Sequence, residues 1–178
     1  EKTAEKLLSM GIRRIDGLIL SHYDRDHTGG VPYLAERIAI DRVYLPRSAD
    51  QEQILPLILA ATAESEQIWM DSDLEIPMGS CNIRIFAPDG RKSDNESCVT
   101  VLFQSEKYDT LIISDMNAAG ERALLDTREL PDLELLIVGH HGSDTSTSAE
   151  LVYRTAPDLA FISVGKDNAY GHPAPSVL

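Results

Sequence analysis

Ser21-His22-Tyr23-Asp24-Arg25-Asp26-His27-Thr28-Gly29-Gly30 brings four potential metal ligands, His22, Asp24, Asp26 and His27, within six residues. The run follows the apolar Leu18-Ile19-Leu20, which predicts a buried strand closed by a turn. Where a chain leaves a sheet and turns, imidazoles and carboxylates converge with little conformational freedom left to lose. Two neutral imidazoles and two carboxylates then offer two charges to a divalent cation, and without a cation the carboxylates would repel one another. The competing reading is a solvated Asp- and His-rich loop whose Asp26 or Thr28 caps the next helix. Four donors at ligand spacing behind a strand favour the metal.

The rest of the 178-residue chain sets the bounds. Hydrophobic residues make up 43% and charged residues 25%, with no composition break or linker, so one domain spanning residues 1–178 is expected. No apolar run approaches the roughly 20 residues that cross a bilayer, and the chain reads as a soluble piece. Its start carries neither a Met nor a signal-like pattern. A formal charge of −13 disfavours a broad, sequence-independent grip on nucleic acid, which relies on Lys and Arg neutralising phosphates. Phosphate contacts would have to come from metals and a few local cations, Arg25, Arg47 and Lys166. Cys81 and Cys98 read as small buried residues rather than a disulfide.

Along the chain, helices are expected over 1–10, 31–38, 51–64 and 118–125, with Pro56 kinking the third or marking its start. Strands are expected over 16–20, 43–45, 68–70, 83–86, 99–103, 111–113, 135–138 and 159–164. Apolar strand, polar strand-end loop and helix recur around a β-rich middle, which argues for an α/β architecture with ligands gathered at one sheet edge. Asp115 and the pair His140-His141 both stand at such strand ends. Adjacent residues on an extended chain face opposite ways, so only one of the two histidines is expected to be a ligand. Ser146 or Thr147 is expected to cap the helix that follows.

His-x-Asp-x-Asp-His with Thr-Gly-Gly resembles the His-x-His-x-Asp-His signature of the metallo-β-lactamase fold, with Asp24 in place of the second His. Val138-Gly139-His140-His141-Gly142-Ser143 and Ser163-Val164-Gly165-Lys166-Asp167-Asn168-Ala169-Tyr170-Gly171-His172-Pro173 are similar to the C-terminal domain of ComEC-type competence proteins. The resemblance implies an αββα sandwich lacking its N-terminal hairpin strands, with a metal centre at the edge where two sheets meet. It implies a ligand set of His22, Asp24, Asp26, His27, Asp115 and His141, with Asp115 bridging two metals and His140 packing behind or bonding a carboxylate. It gives catalytic roles to Asp26 and Asp115 in orienting water, and to His172 in protonating a leaving group or orienting phosphate.

No histidine lies between Thr28 and Gly139, where relatives supply a third. Asp94-Asn95-Glu96-Ser97-Cys98 offers oxygen donors or Cys98 instead. Oxygen-rich ligation favours Mn²⁺ or Mg²⁺, while the imidazoles keep Zn²⁺ in play, as one or two ions. The function implied is a metal-dependent phosphodiesterase on single-stranded DNA during uptake, as an extracytoplasmic domain of a bacterial membrane channel protein. The alternatives are a thioester or lactone hydrolase with the same ligands, and a DNA-positioning domain without turnover.

Overall fold

Leu20 is buried and Leu18 and Ile19 are half-buried because one parallel neighbour and three helices close over them. The computed structural model describes residues 2–47, 54–88, 95 and 97–178, which divide into two compact units, Glu1–Asp71 and Ser72–Leu178.

The first unit opens with α1 (Lys2–Ser9), whose Ala4, Leu7 and Leu8 face the core. The helix stops where Gly11 N–H bonds Leu8 O and Ile12 N–H bonds Leu7 O, the reversed pair typical of a glycine-terminated helix. Two short strands follow, β1 (Arg14–Ile15) and β2 (Leu18–Ile19), then the one-turn α2 (Arg25–Thr28) and α3 (Val31–Ala35). The expected 31–38 helix thus stops at Ala35, although Ile38 N–H still bonds Leu34 O. β3 (Ala39–Ile40) pairs with β1. β4 (Arg42–Pro46), α4 (Leu55–Ala61) and β5 (Glu66–Met70) complete the unit. Pro56 lies in the first turn of α4, where its missing N–H costs nothing, so it marks a start and not a kink; residues 51–53 of the expected helix lie outside the described residues.

The strands β2, β4 and β5 make a parallel sheet in that order, with Leu18 opposite Val43 and Tyr44 opposite Ile68. Their carboxyl ends therefore share one edge, and that edge carries the loop after β2 together with Arg47 and Asp71. Leu20, Val31, Leu34, Ile38, Val43, Leu45 and Ile58 form the core beneath. Each such side chain contributes about 1.5–3 kcal/mol by leaving water.

The second unit has one six-stranded sheet, ordered β11-β10-β9-β8-β7-β6. β6 (Leu74–Met78), β7 (Cys81–Phe86), β8 (Thr100–Gln104) and β9 (Asp109–Ile112) run antiparallel to one another. α5 (Ala118–Thr127) then crosses to β10 (Leu135–Ile137), and α6 (Ala149–Thr155) crosses to β11 (Leu159–Phe161), both parallel to β9. β6 was hidden in the sequence by Pro77; on an edge strand a proline forfeits no ladder bond that the sheet needs. Leu102, Leu111, Ile113, Leu124, Leu136 and Leu151 form the core. Cys98 is buried in it and Cys81 is half-buried, and the two are not joined in a disulfide. No described helix is long and apolar enough to cross a membrane.

Candidate functional site

In the first unit the loop after β2 gathers the four potential ligands of the opening motif. His22 is buried and His27 half-buried, their ring centroids 4.2 Å apart, while Asp24 and Asp26 are exposed. His22 Nε2 lies 3.6 Å from Asp24 Oδ2, and His27 Nε2 lies 3.6 Å from Asp26 Oδ2. That spacing is longer than a good hydrogen bond. It is the separation of two donors that each reach one cation over about 2.0–2.2 Å.

The capping alternative fails locally. The N-cap of α2 is Asp24, which makes no side-chain cap bond, and the N-cap of α3 is Gly30. Thr28 instead aims its hydroxyl back at Asp24 O (2.8 Å) and Tyr23 O (3.2 Å), pinning the turn. Tyr23 is buried and donates its hydroxyl to Pro46 O at 2.9 Å, which ties the loop to the end of β4. Burial pushes its phenol far above the ordinary value, and the Arg47 charge offsets part of that rise. Arg47 is held by Asp71 (2.8 Å) and lies over the Trp69 ring at 4.5 Å; its hydrogen bond holds the Asp71 carboxyl below the usual range.

In the second unit, neighbouring parallel strands β9 and β10 end side by side and deliver Asp115 and the His140-His141 turn to one edge. Asp115 is buried, 3.7 Å from His140 Nε2 and 4.0 Å from His141 Nε2 through its Oδ2. It is not a helix cap, since Asn117 takes that role with its Oδ1 accepting from Ala119 and Gly120 N–H.

The expectation that 138–141 is extended, with the two rings on opposite faces, is corrected here. Gly139–Gly142 is a tight turn in which His140 (φ 47°) and His141 (φ 56°) are both left-handed. His140 N–H bonds Ser114 O (2.9 Å) and Ser143 N–H bonds His140 O (2.9 Å). Two consecutive left-handed residues swing both imidazoles toward Asp115. Glycine is required at 139, where a Cβ would come 2.1 Å from Ser146 Oγ, and at 142, where φ is 83° and a Cβ would press Pro173 at 2.7 Å. Ser114 (φ 53°) and Thr147 (φ 55°) add two more left-handed residues beside the turn. Such strain gathers where the surroundings over-determine a functional geometry.

The two histidines differ in what holds the other ring nitrogen. His141 Nδ1 lies 2.8 Å from Ser163 O and donates to it, so the neutral ring presents a lone pair at Nε2, as a ligand does. His140 Nδ1 lies 3.2 Å from the Asn95 amide nitrogen; that donor puts the proton of neutral His140 on Nε2, facing Asp115. Asn95 thus supports His140 from the segment where relatives place a third His; Asp94 and Glu96 lie outside the described residues.

A residue that sequence reasoning missed braces this turn. Glu121 is fully buried on α5, and its carboxylate accepts from Thr147 N–H and from Ser148 N–H (2.8 Å). Thr147 Oγ1 in turn accepts from Gly139 N–H at 2.9 Å. Ser146 donates to Met116 O (2.6 Å), and Ala118 N–H bonds Thr145 O. The segment bearing Asp115 and the segment bearing His140-His141 are therefore stitched together. The signal was a charged residue on the apolar stripe that Leu124 and Leu125 continue. The cap of α6 is Ser148, not Ser146 or Thr147, and accepts from Leu151 N–H. His172 stands after β11 with its ring centroid 6.0 Å from that of His140.

Residues 1–79 match the metallo-β-lactamase superfamily. The chain is 29% identical over 97% of its length to ComE operon protein 3 of Bacillus subtilis and 31% identical over 96% to competence protein ComA of Neisseria gonorrhoeae. It spans about a quarter of these relatives, 23% of each. Among solved structures it is similar to CmlA, a diiron β-hydroxylase from Streptomyces venezuelae, at a TM-score of 0.58 and 15% identity, covering 83% of this chain and 35% of that one. That likeness speaks for the fold and not for the chemistry. With the motif order and the strand-end His and Asp residues, the chain has the metallo-β-lactamase fold, and it is similar over nearly its whole length to competence proteins of the ComEC type.

Proposed function

We propose that this chain is a metal-dependent phosphodiesterase that cuts single-stranded DNA within a larger membrane-associated competence protein. The observation that carries the reading is the repeated carboxylate–imidazole spacing of 3.6–4.0 Å, found at the strand-end loop of the first unit and again around Asp115 in the second. The donor set fits one or two divalent cations. His22, Asp24, Asp26 and His27 in the first unit, and Asp115 and His141 in the second, would hold them. When bound, such cations supply positive charge against phosphoryl oxygens and make water a stronger acid.

The chain's own residues supply the remainder. Ser163 O fixes His141 in the ligand tautomer. His140 faces Asp115 and orients that carboxylate. Asp26 or Asp115 would accept the proton of the attacking water, and His172 would protonate the departing oxygen. Exposed Arg25 and Lys166 provide local attraction for phosphate on an otherwise acidic surface.

The test is elemental analysis of the full-length protein purified without chelator, then hydrolysis of single-stranded DNA with Mn²⁺, Mg²⁺ and Zn²⁺ beside a thioester and a lactone. One or two ions per chain and DNA cleavage alone are expected. Turnover of the small esters without DNA cleavage overturns the substrate. The missing third histidine favours a second reading, a DNA-positioning domain, which metal content near zero with no cleavage would establish.

A further inference from the structure

The loop from Gly165 to Pro173 presents an aromatic ring to solvent beside the Asp115 half-site. Tyr170 is 84% exposed. Its ring stacks on that of His172 with centroids 5.8 Å apart and planes 16° from parallel, and His172 lies 6.0 Å from His140. The three rings run as a row from the carboxylate outward.

Single exposed aromatics are ordinary on protein surfaces; this one is held. Asn168 Oδ1 accepts from Tyr170 N–H (3.2 Å) and His172 N–H (2.9 Å), while its amide donates to Gly165 O (3.0 Å) and His172 O (2.7 Å). Ala174 N–H bonds Gly142 O at 2.8 Å, fastening the loop to the turn that carries His140 and His141. The ring therefore meets a ligand without first paying for loop order. Its outer face suits a flat π-surface, because offset stacking needs only a second ring at about 4.5–7 Å. Exposed Lys166 on the same loop offers a cation to an adjacent phosphate.

We propose that Tyr170, backed by His172, is a stacking subsite for an unpaired nucleobase of the substrate strand. This rests on the phosphodiesterase reading and sharpens it: a base already stacked in a duplex cannot use the platform, so the subsite selects single strands. Stacking tolerates every base, so no sequence preference follows.

The test is binding of a cleavage-resistant phosphorothioate oligodeoxynucleotide and of the same-length abasic strand to the full-length metal-loaded protein, by fluorescence anisotropy. Wild type should prefer the base-bearing strand by about 5- to 150-fold, the worth of one base–aromatic stack. Tyr170→Ala should erase that preference and keep the abasic affinity, and Tyr170→Phe should restore it. A preference that survives Tyr170→Ala, or a loss of affinity for both strands alike, overturns the subsite while leaving phosphodiesterase activity on the abasic strand intact as a separate measurement. Failure of wild type to bind either strand, together with failure to cleave an unmodified phosphodiester strand of the same sequence, overturns the phosphodiesterase reading, and the subsite with it.

Discussion

Replacing Glu121 by Gln removes one charge and no volume from the brace behind His140 and His141. The carboxylate is 0% exposed and takes bonds from the backbone N–H groups of Thr147 and Ser148, with Ser146 Oγ at 3.3 Å. Ser146 has one hydroxyl proton and commits it to Met116 O at 2.6 Å, so the two backbone donors carry the interaction. A carboxamide offers one oxygen to two donors, and its NH₂ faces the second. The loss combines a charge-assisted bond, about 1.5–3 kcal/mol, with a buried unsatisfied donor, about 1–3 kcal/mol. These overlap, which leaves about 2–4 kcal/mol. For a chain of this length each kcal/mol moves the melting temperature by about 2–4 °C, so Glu121→Gln should melt roughly 5–15 °C lower.

The effect should also reach the ligands. Thr147 is left-handed at φ 55° and anchors Gly139 N–H, so its relaxation loosens the turn that aims His141. Metal affinity measured calorimetrically well below both transitions should fall about 10–100-fold, the usual cost of disturbing a ligand's support. A melting temperature within about 2 °C of wild type would refute the brace. A lowered melting temperature with unchanged metal affinity would confine Glu121 to stability and refute its coupling to the site.

Two further outcomes follow from the same geometry. His141→Ala should abolish metal binding, because it deletes an imidazole whose tautomer Ser163 O already sets, whereas His140→Ala should weaken it about 10–100-fold; calorimetry that ranks them the other way makes His140 the ligand. Asp73, paired with Arg128 through two bonds of 2.9 and 3.0 Å, is pushed up by burial but held below the usual carboxylate range by those bonds and by Ala87 N–H. A lowered folded pKa means stability that is present above about pH 4, the unfolded value, and lost as pH falls through the folded one. Asp73→Asn should therefore cost about 0.5–1 kcal/mol at neutral pH, the small figure reflecting partial exposure, and progressively less in urea titrations below pH 4.

The first-unit loop was legible as a candidate metal site because its four potential ligands are neighbours in sequence and follow an apolar run. Asp115 and His141 were legible for a related reason, since each follows a buried strand. What the residues do not announce is the conformation at 140 and 141. Histidine has no intrinsic preference strong enough to specify two successive left-handed residues. The turn is imposed by Ser114 O capturing His140 N–H and by Gly139 packing against Ile113, contacts between segments some 25 positions apart in the chain, and by Gly139 packing against nearby Ser146. The strands β1 and β3 escaped notice because two residues are too few to show alternation, and β6 because Pro77 argues against a strand unless the strand is known to lie at an edge. Glu121 was visible as a carboxylate on an apolar helix face, an anomaly that asks for buried donors.

The acidity of the chain bears on how a phosphodiesterase of this kind would hold DNA. At −13, distant phosphates are repelled. Arg47, at the end of the strand beside the first-unit loop, is already bonded to Asp71 and laid over Trp69. Attraction would then be concentrated at the bound cations, at Arg25 and Lys166 and at the Tyr170 ring, all of them local. An enzyme gripping its strand at one or two nucleotides releases few counterions, so its affinity falls only gently with salt, with a slope near that of one or two phosphate contacts instead of the six to ten of a protein that tracks the backbone.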